Sequence, residues 1–174
     1  GESNRSGGSD EQVAAAVSYA VTMILFVIAN KTTTAANAIL LQYIAPVLTA
    51  FIGAALLKER TRIEHWVSIL FVAAGMIIMF MDELGGGQMF GNIIALCSAL
   101  TFSLYFVFMR MQKEGSPFES NILAHWITAG ICLAASFFLP APDITLKASA
   151  AMFVLGAVQM GIPSILISIG IKRV

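Results

Sequence analysis

Long apolar runs alternate with short polar joints along the 174 residues of the chain. A helix rises about 1.5 Å per residue and the hydrocarbon core of a bilayer is about 30 Å thick, so a span needs roughly 17–25 mostly apolar residues. An open sheet could not satisfy its backbone in lipid. The pattern therefore predicts an all-α membrane protein, a polytopic transmembrane bundle whose spans are Gln12–Asn30, Ala35–Leu57, Glu64–Met81, Gly91–Met111, Asn121–Leu139 and Ala148–Ile171.

Composition supports the membrane class. Hydrophobic residues make up 58% of the chain and charged residues only 11%, and the mean hydropathy is +0.85. The ten basic and ten acidic residues balance, which argues against a nucleic-acid partner, since such a partner usually requires a basic patch. Cys97 and Cys132 both lie in apolar runs, where we expect buried small hydrophobic side chains rather than a disulfide framework.

Basic residues are unevenly divided between the two ends of the predicted spans. If the N-terminus of this segment is cytoplasmic, eight Lys and Arg residues lie on the cytoplasmic side and only Lys31 and Lys147 on the other. The positive-inside rule favours that orientation. The compact joints suit a bacterial inner membrane, and residues 1–11 are interpreted as a polar N-terminal loop or a vector-derived remnant.

The first predicted span resembles the last one. A shift of 141 residues aligns 13–31 with 154–172, and seven of the nineteen aligned positions are identical. The first span runs outward and the sixth runs inward, so the two copies are inverted. Inverted repeats are typical of secondary transporters, whose halves rock about a site near the midplane.

Polar residues recur at helical spacing inside five of the six predicted spans. Gln42, Ala45 and Thr49 share one helix face, as do Ser98, Thr101 and Tyr105. A third stripe runs from Asn121 through His125 and Thr128 to Cys132. Such side chains face a cavity or another helix, so each is either a wall of a solute path or a packing contact. The candidates for the cavity are Tyr19, Thr22, Gln42, Tyr43, Thr49, Ser98, Thr101, Tyr105, His125 and Gln159, with Pro46 and Pro163 as helix kinks.

Charged side chains are missing from the deep parts of the predicted spans. Hydroxyls and amides without an embedded carboxylate suit a neutral, zwitterionic or aromatic solute better than a hard cation. His125 could carry a proton near neutral pH, although histidine is also ordinary at a membrane interface. No hydrolase, metalloprotease or phosphate-loop motif is present, and the sequence indicates neither an enzyme nor a metal or other cofactor site.

The motifs also carry a family likeness. The stretch "AANAILLQYIAPVLTAFIGAALLKERTRIEHWVSILFVAAGMIIMF" resembles the EamA-type pattern of the drug/metabolite transporter superfamily, with a mid-span proline, a Lys-Glu-Arg turn and a small-residue "AAGMII" ending. "FGNIIALCSALTFSLYFVFMRM" is similar to the opening helix of the second half of that family. "GAVQMGIPSILISIGIKRV" is similar to the segment that precedes its last two helices.

The resemblance implies a ten-helix fold of two inverted five-helix units, of which this chain covers the third to eighth helices. Residues 12–81 are then the last three helices of the first repeat, 82–90 an extracytoplasmic linker, and 91–174 the first three helices of the second repeat. The implied function is export of small metabolites or drugs by alternating access through a central cavity.

The rival prediction is a non-transporting helical scaffold or an inactive transporter fragment, in which the polar stripes serve helix association alone. The expected partners are a small-molecule solute and the lipid bilayer, with a homodimer left open and no nucleic acid.

Overall fold

The chain folds into helices throughout the part that can be described. The computed structural model describes residues 3–57, 63–80, 88–112, 117–138 and 144–173, with side chains at 10–57, 63, 66, 67, 69–75, 78, 88–112, 117–138, 144–158 and 160–170. The helices are α1 (Ser3–Thr32), α2 (Ala35–Gln42), α3 (Ala45–Leu57), α4 (Ile63–Phe80), α5 (Met89–Met111), α6 (Pro117–Ser136), α7 (Leu146–Val154) and α8 (Ile162–Arg173), with a π-helical segment, Leu155–Gly161, between α7 and α8.

The predicted fold class is confirmed. Four helical stretches within the described ranges are long and apolar enough to cross a membrane: Asp10–Thr32, Ala35–Leu57, Met89–Met111 and Leu146–Gly170. The other two predicted spans also form helices, α4 and α6. Strands are missing from the described ranges, as the backbone argument requires.

A break divides the second span near its middle. α2 ends at Gln42, α3 begins at Ala45, and the two residues between them form a turn. Pro46 has no backbone N–H, so the carbonyl of Gln42 loses the donor that an uninterrupted helix would supply. The N–H of Ile44 instead donates to the carbonyl of Leu41 over 3.2 Å, a tighter bond across three residues.

The last span carries a second irregularity. The π-helical segment Leu155–Gly161 widens the turn, and Pro163 follows in the first turn of α8. A π turn changes which face the following residues present, because it inserts an extra residue into the helical repeat. The residues of α8 therefore face neighbours that a uniform helix would not give them.

Helix α5 is the most buried of the four candidate spans. It contacts α1, α2 and α3, while α1 also packs against α6 and α6 contacts α8. Small buried residues line the α1–α5 contact, among them Ala16, Ala20, Ala95 and Ala99. Small side chains let helix backbones approach closely, which drives association where lipid is as apolar as the side chains.

The outer surface of the bundle is apolar. Phe137, Phe138 and Leu146 are almost fully exposed, as expected for helices that contact lipid. Cys97 and Cys132 are exposed as well, so the prediction that they are buried is wrong. The thiol is apolar enough to face lipid, and an apolar run alone does not distinguish a lipid face from a core face.

Candidate solute path

Four of the predicted residues meet where α1, α2 and α5 converge. The hydroxyl oxygens of Thr22 and Thr101 lie 2.8 Å apart. The amide of Gln42 donates to the hydroxyl of Ser98 over 3.1 Å, and Ser98 donates to the carbonyl of Thr22 over 3.3 Å. We call Thr22, Gln42, Ser98 and Thr101 the central cluster. Its members mostly satisfy one another, which is how polar groups are tolerated inside a membrane bundle.

An aromatic cluster of Tyr19, Phe102, Tyr105 and His125 lies next along α1 and α5. The ring of Tyr19 lies 4.8 Å from that of Tyr105 and 5.4 Å from that of His125. Phe102 stacks on Tyr105 with ring centroids 6.0 Å apart. These are ordinary separations for attractive aromatic pairs. The rings come from three helices, so they tie α1 to both α5 and α6.

Asn121 joins this cluster to the last span. Its carbonyl side-chain oxygen accepts from the Tyr105 hydroxyl over 2.6 Å. Its amide donates to the Ser168 hydroxyl over 2.7 Å and lies 3.2 Å from the carbonyl of Ser164. The network is buried and fully paired at Asn121, so it holds α5, α6 and α8 in one arrangement.

The hydrogen bond of His125 determines its tautomer. Its Nδ1 lies 2.7 Å from the backbone carbonyl of Asn121. A carbonyl oxygen can only accept, so Nδ1 carries the hydrogen and Nε2 of the neutral ring is an acceptor.

A groove of about 430 Å³ opens beside this network, between α6 and the start of α8. Its polar contacts are Asn121, His125 and Ser164, and its walls are apolar: Phe118, Ile122, Trp126, Ala129, Gly161 and Ile165. Small-molecule sites typically have this volume and this mixture of apolar walls with a few oriented polar groups.

The lining is uncharged as far as the described residues go. Over the same ranges, no group of three or more His, Cys, Asp or Glu side chains could hold a metal ion. The surface of the groove is therefore almost entirely apolar, and its described lining contains no carboxylate to balance a hard cation.

Comparison with known protein families identifies the first half of the chain. The model of the EamA-like transporter family matches the stretch from residue 12 to residue 81. This stretch is similar to the EamA-like transporter family, and the match confirms the resemblance over residues 12–81. It indicates a membrane transporter of the drug/metabolite transporter superfamily, whose members are transporters rather than enzymes. Searches of curated proteins and of solved structures found no match.

The EamA-like segment supplies part of both clusters. It carries α1 to α4, with Tyr19 in the aromatic cluster and Thr22 and Gln42 in the central cluster. The remaining members come from α5 and α6. The two clusters therefore form where α1 and α2 of the EamA-like segment pack against α5 and α6.

Several predicted residues lie elsewhere. Tyr43 is 57% exposed on the outside of the bundle, and Thr49 donates to the carbonyl of Ala45 in its own helix over 2.8 Å. Pro46 and Pro163 lie at the helix irregularities. The side chain of Gln159 falls outside the described residues.

Sequence reasoning missed the contribution of α8. Ser164 and Ser168 lie four residues apart on one helix face, a signal equal to that of the other stripes. It also missed a contact between the end of α1 and the start of α5, where Thr33 Oγ1 lies 2.8 Å from Gln88 Oε1 and 2.7 Å from Asn92 Oδ1. Polar residues in a joint between spans are usually solvated, so the hydrophobic pattern of the sequence did not predict this contact.

Proposed function

We propose that this chain is the central part of a secondary transporter that exports small metabolites or drugs by alternating access. The family match of residues 12–81 supports the transporter class. The observation that carries the proposal is the paired Tyr105–Asn121–Ser168 network beside an open groove of about 430 Å³. The paired polar groups hold the wall of the groove in one arrangement, and the groove is large enough for a small solute to bind beside that wall.

The solute class follows from the lining. Phe118 and Trp126 offer apolar and aromatic surface, while the polar residues of the lining, Asn121, His125 and Ser164, contribute little surface and Asn121 is already paired with Tyr105 and Ser168. A charged ion would lose its hydration there without a counter-charge. We propose neutral, zwitterionic or aromatic solutes of small-metabolite size.

The domain arrangement is part of the same proposal. Residues 12–81 would be the last three helices of one five-helix repeat and 91–174 the first three of an inverted second repeat, with 82–90 as an outer linker. The N-terminus of this segment would be cytoplasmic, in a bacterial inner membrane. The exposed Lys31 and Lys147 would then lie on the outer side.

A scaffold without transport is the second candidate. The central cluster favours it, because Thr22, Gln42, Ser98 and Thr101 hydrogen-bond among themselves and so serve helix association. A transporter requires a groove that water can enter, whereas a scaffold does not. The accessibility of the groove to water therefore distinguishes the two.

Cysteine accessibility tests the groove. In a background with Cys97→Ala and Cys132→Ala, Ser164→Cys places a thiol on the groove wall. We expect a water-soluble maleimide to label it in membranes. Ser103→Cys is a matched control, since Ser103 is buried between α3 and α5 and should stay unlabelled. Protection of Ser164→Cys equal to that of Ser103→Cys would support the scaffold.

Flux through the complete natural protein tests the proposed role of the clusters. Vesicles preloaded with labelled aromatic amino acids, a zwitterionic aromatic probe, would show export by the unaltered protein. We expect Gln42→Ala and Tyr105→Phe each to lower it about tenfold, equivalent to ~1.4 kcal/mol, at unchanged membrane abundance. Undiminished export by both variants would contradict the assignment.

A further inference from the structure

The last span is attached to the rest of the bundle by few contacts. Among the described side chains of α7, the π-helical segment and α8, only Ser168 is buried. Ser168 accepts from the amide of Asn121 over 2.7 Å, and the Met160 sulfur lies 3.7 Å from the Tyr19 hydroxyl. Ile167 adds a partly buried apolar contact. α6 is the main neighbour of α8 outside the last span, so the position of α8 depends strongly on the Asn121–Ser168 hydrogen bond.

This hydrogen bond can open without leaving either side chain unpaired. The hydroxyl of Ser168 also donates to the carbonyl of Ser164 in its own helix over 2.8 Å, so it keeps a partner when Asn121 withdraws. Asn121 lines the groove, where water or a solute can accept from its amide. Hydrogen bonds between neutral side chains of membrane helices stabilise a bundle only modestly. We call the Asn121–Ser168 bond the latch.

The π-helical segment provides a point of bending directly before α8. The N–H of Ile162 donates to the carbonyl of Ala157, five residues earlier, where a regular helix would bond across four. Pro163 accounts for this irregularity. It has no N–H to donate, and in a regular helix its ring would clash with the carbonyl four residues before it. Regular backbone hydrogen bonding is therefore interrupted immediately before the residues that dock on α6.

We propose that the π-helical segment is a hinge at which α8 turns away from α6, and that the latch holds the groove in the arrangement seen here. The proposal rests on the proposed function in one respect, since it takes the groove as the solute site. α8 supplies Ser164 and Ile165 to one wall of that groove. Turning α8 therefore widens the groove and frees the Asn121 amide to donate to an acceptor on the solute.

This movement differs from the rocking of two halves against each other. In the proposed domain arrangement α6 and α8 both belong to residues 91–174, the second repeat. Rocking of rigid halves keeps the distance between two helices of the same half constant. Turning at the hinge changes the distance between α6 and α8, so the two movements alter different distances.

Spin labels measure these distances in the complete natural protein with its cysteines replaced by alanine. Labels at Ile131 in α6 and Leu166 in α8 report the hinge, since both side chains are exposed and lie outside the groove lining. Labels at Leu56 in α3 and Ile131 report movement between the halves. In lipid vesicles we expect two distances for the 131/166 pair, a shorter one with the latch formed and a longer one with it broken.

Three variants assign the movement to the latch and the hinge. Ser168→Ala removes the latch, and we expect the population at the longer 131/166 distance to rise about threefold relative to the shorter one, the factor for an average interhelical hydrogen bond. Pro163→Ala restores the backbone N–H, so the segment should stiffen and a single 131/166 distance should remain. Gly170→Ala is the control in α8, because nothing lies within 4 Å of its added Cβ, and it should leave both populations unchanged.

The outcomes separate this proposal from the proposed function. A single 131/166 distance in both the unaltered protein and Ser168→Ala would overturn the hinge, while the 56/131 distance and the export measurement would decide transport independently. Two 131/166 distances without export would support the hinge and contradict the transport function. Two distances retained in Pro163→Ala would overturn the assignment of the hinge to the π-helical segment.

Discussion

At the scale of single residues, Asn121, a stripe residue that is not among the predicted cavity candidates, joins more helices than any of those candidates. Its side chain uses both of its polar ends, accepting from Tyr105 and donating to Ser168. An asparagine in a membrane helix without such partners would be costly, because lipid offers no substitute. Tyr105 is 1% exposed, so water cannot replace Asn121 as the hydrogen-bond partner of its hydroxyl.

Replacing Tyr105 by Phe isolates the hydroxyl. We expect the unfolding free energy in detergent to fall by about 1 kcal/mol, because the buried Asn121 oxygen is left unpaired. Tyr43→Phe is the matched control, since Tyr43 is exposed on the outside of the bundle and its hydroxyl is not enclosed among buried partners. Thermal unfolding of the two variants side by side gives the difference in their stability. Equal melting temperatures would contradict a stabilising role for the Tyr105–Asn121 hydrogen bond.

At the scale of helices, the bundle depends on close approach between α1 and α5. The corner after α1 presses on the first turn of α5 at Gly91, where an added Cβ would lie 2.6 Å from the carbonyl carbon of Thr32. No real side chain fits at that distance, and the nearest atoms are two backbone atoms of Thr32 and the Cβ of Thr33. The buried hydroxyl of Thr33, which contacts Gln88 and Asn92, holds the same corner.

Gly91→Ala is therefore expected to destabilise the protein by about 1–3 kcal/mol through overpacking. Gly130→Ala, in α6, is the control, because nothing lies within 4 Å of its added Cβ. Alanine should there leave stability unchanged or raise it by up to about 1 kcal/mol. Folded yield and thermal unfolding measure the stability of both variants. Comparable stability would contradict the close approach of the α1 corner to Gly91.

At the scale of the whole molecule, some helices are packed against neighbours and others are largely exposed, which is relevant to the proposed ten-helix fold. α1 packs against α5 and α6, whereas most residues of α7 and of the C-terminal half of α6 are exposed. In the proposed fold the first two and last two helices of the family would pack around this six-helix portion.

The parent gene supplies the check at this scale. We expect two further apolar spans to be encoded before Gly1 and two after Val174, because the resemblance assigns this chain to the third to eighth helices. Determining the flanking sequence settles the point. A soluble domain or a stop codon on either side would contradict the ten-helix assignment while leaving the family match of residues 12–81 in place.

Part of the site was predictable because helical periodicity assigns residues to faces. Ser98, Thr101 and Tyr105 were placed on one stripe of α5, and all three contact α1 or α6 in the structure. Periodicity does not say what a face meets. Gln42 points into the bundle while its neighbour Tyr43 points out, since successive helix residues turn about 100°.

The sequence by itself determined the membrane class, the helices and the uncharged character of the path, because run length, backbone satisfaction in lipid and composition are local properties. Only the tertiary structure decided that Asn121 joins three helices, that Ser164 and Ser168 face it, and that Tyr19 meets Met160. Those contacts depend on which helices pack together and on the π turn in the last span. Both are set by packing between residues far apart in the chain, which a local pattern does not encode.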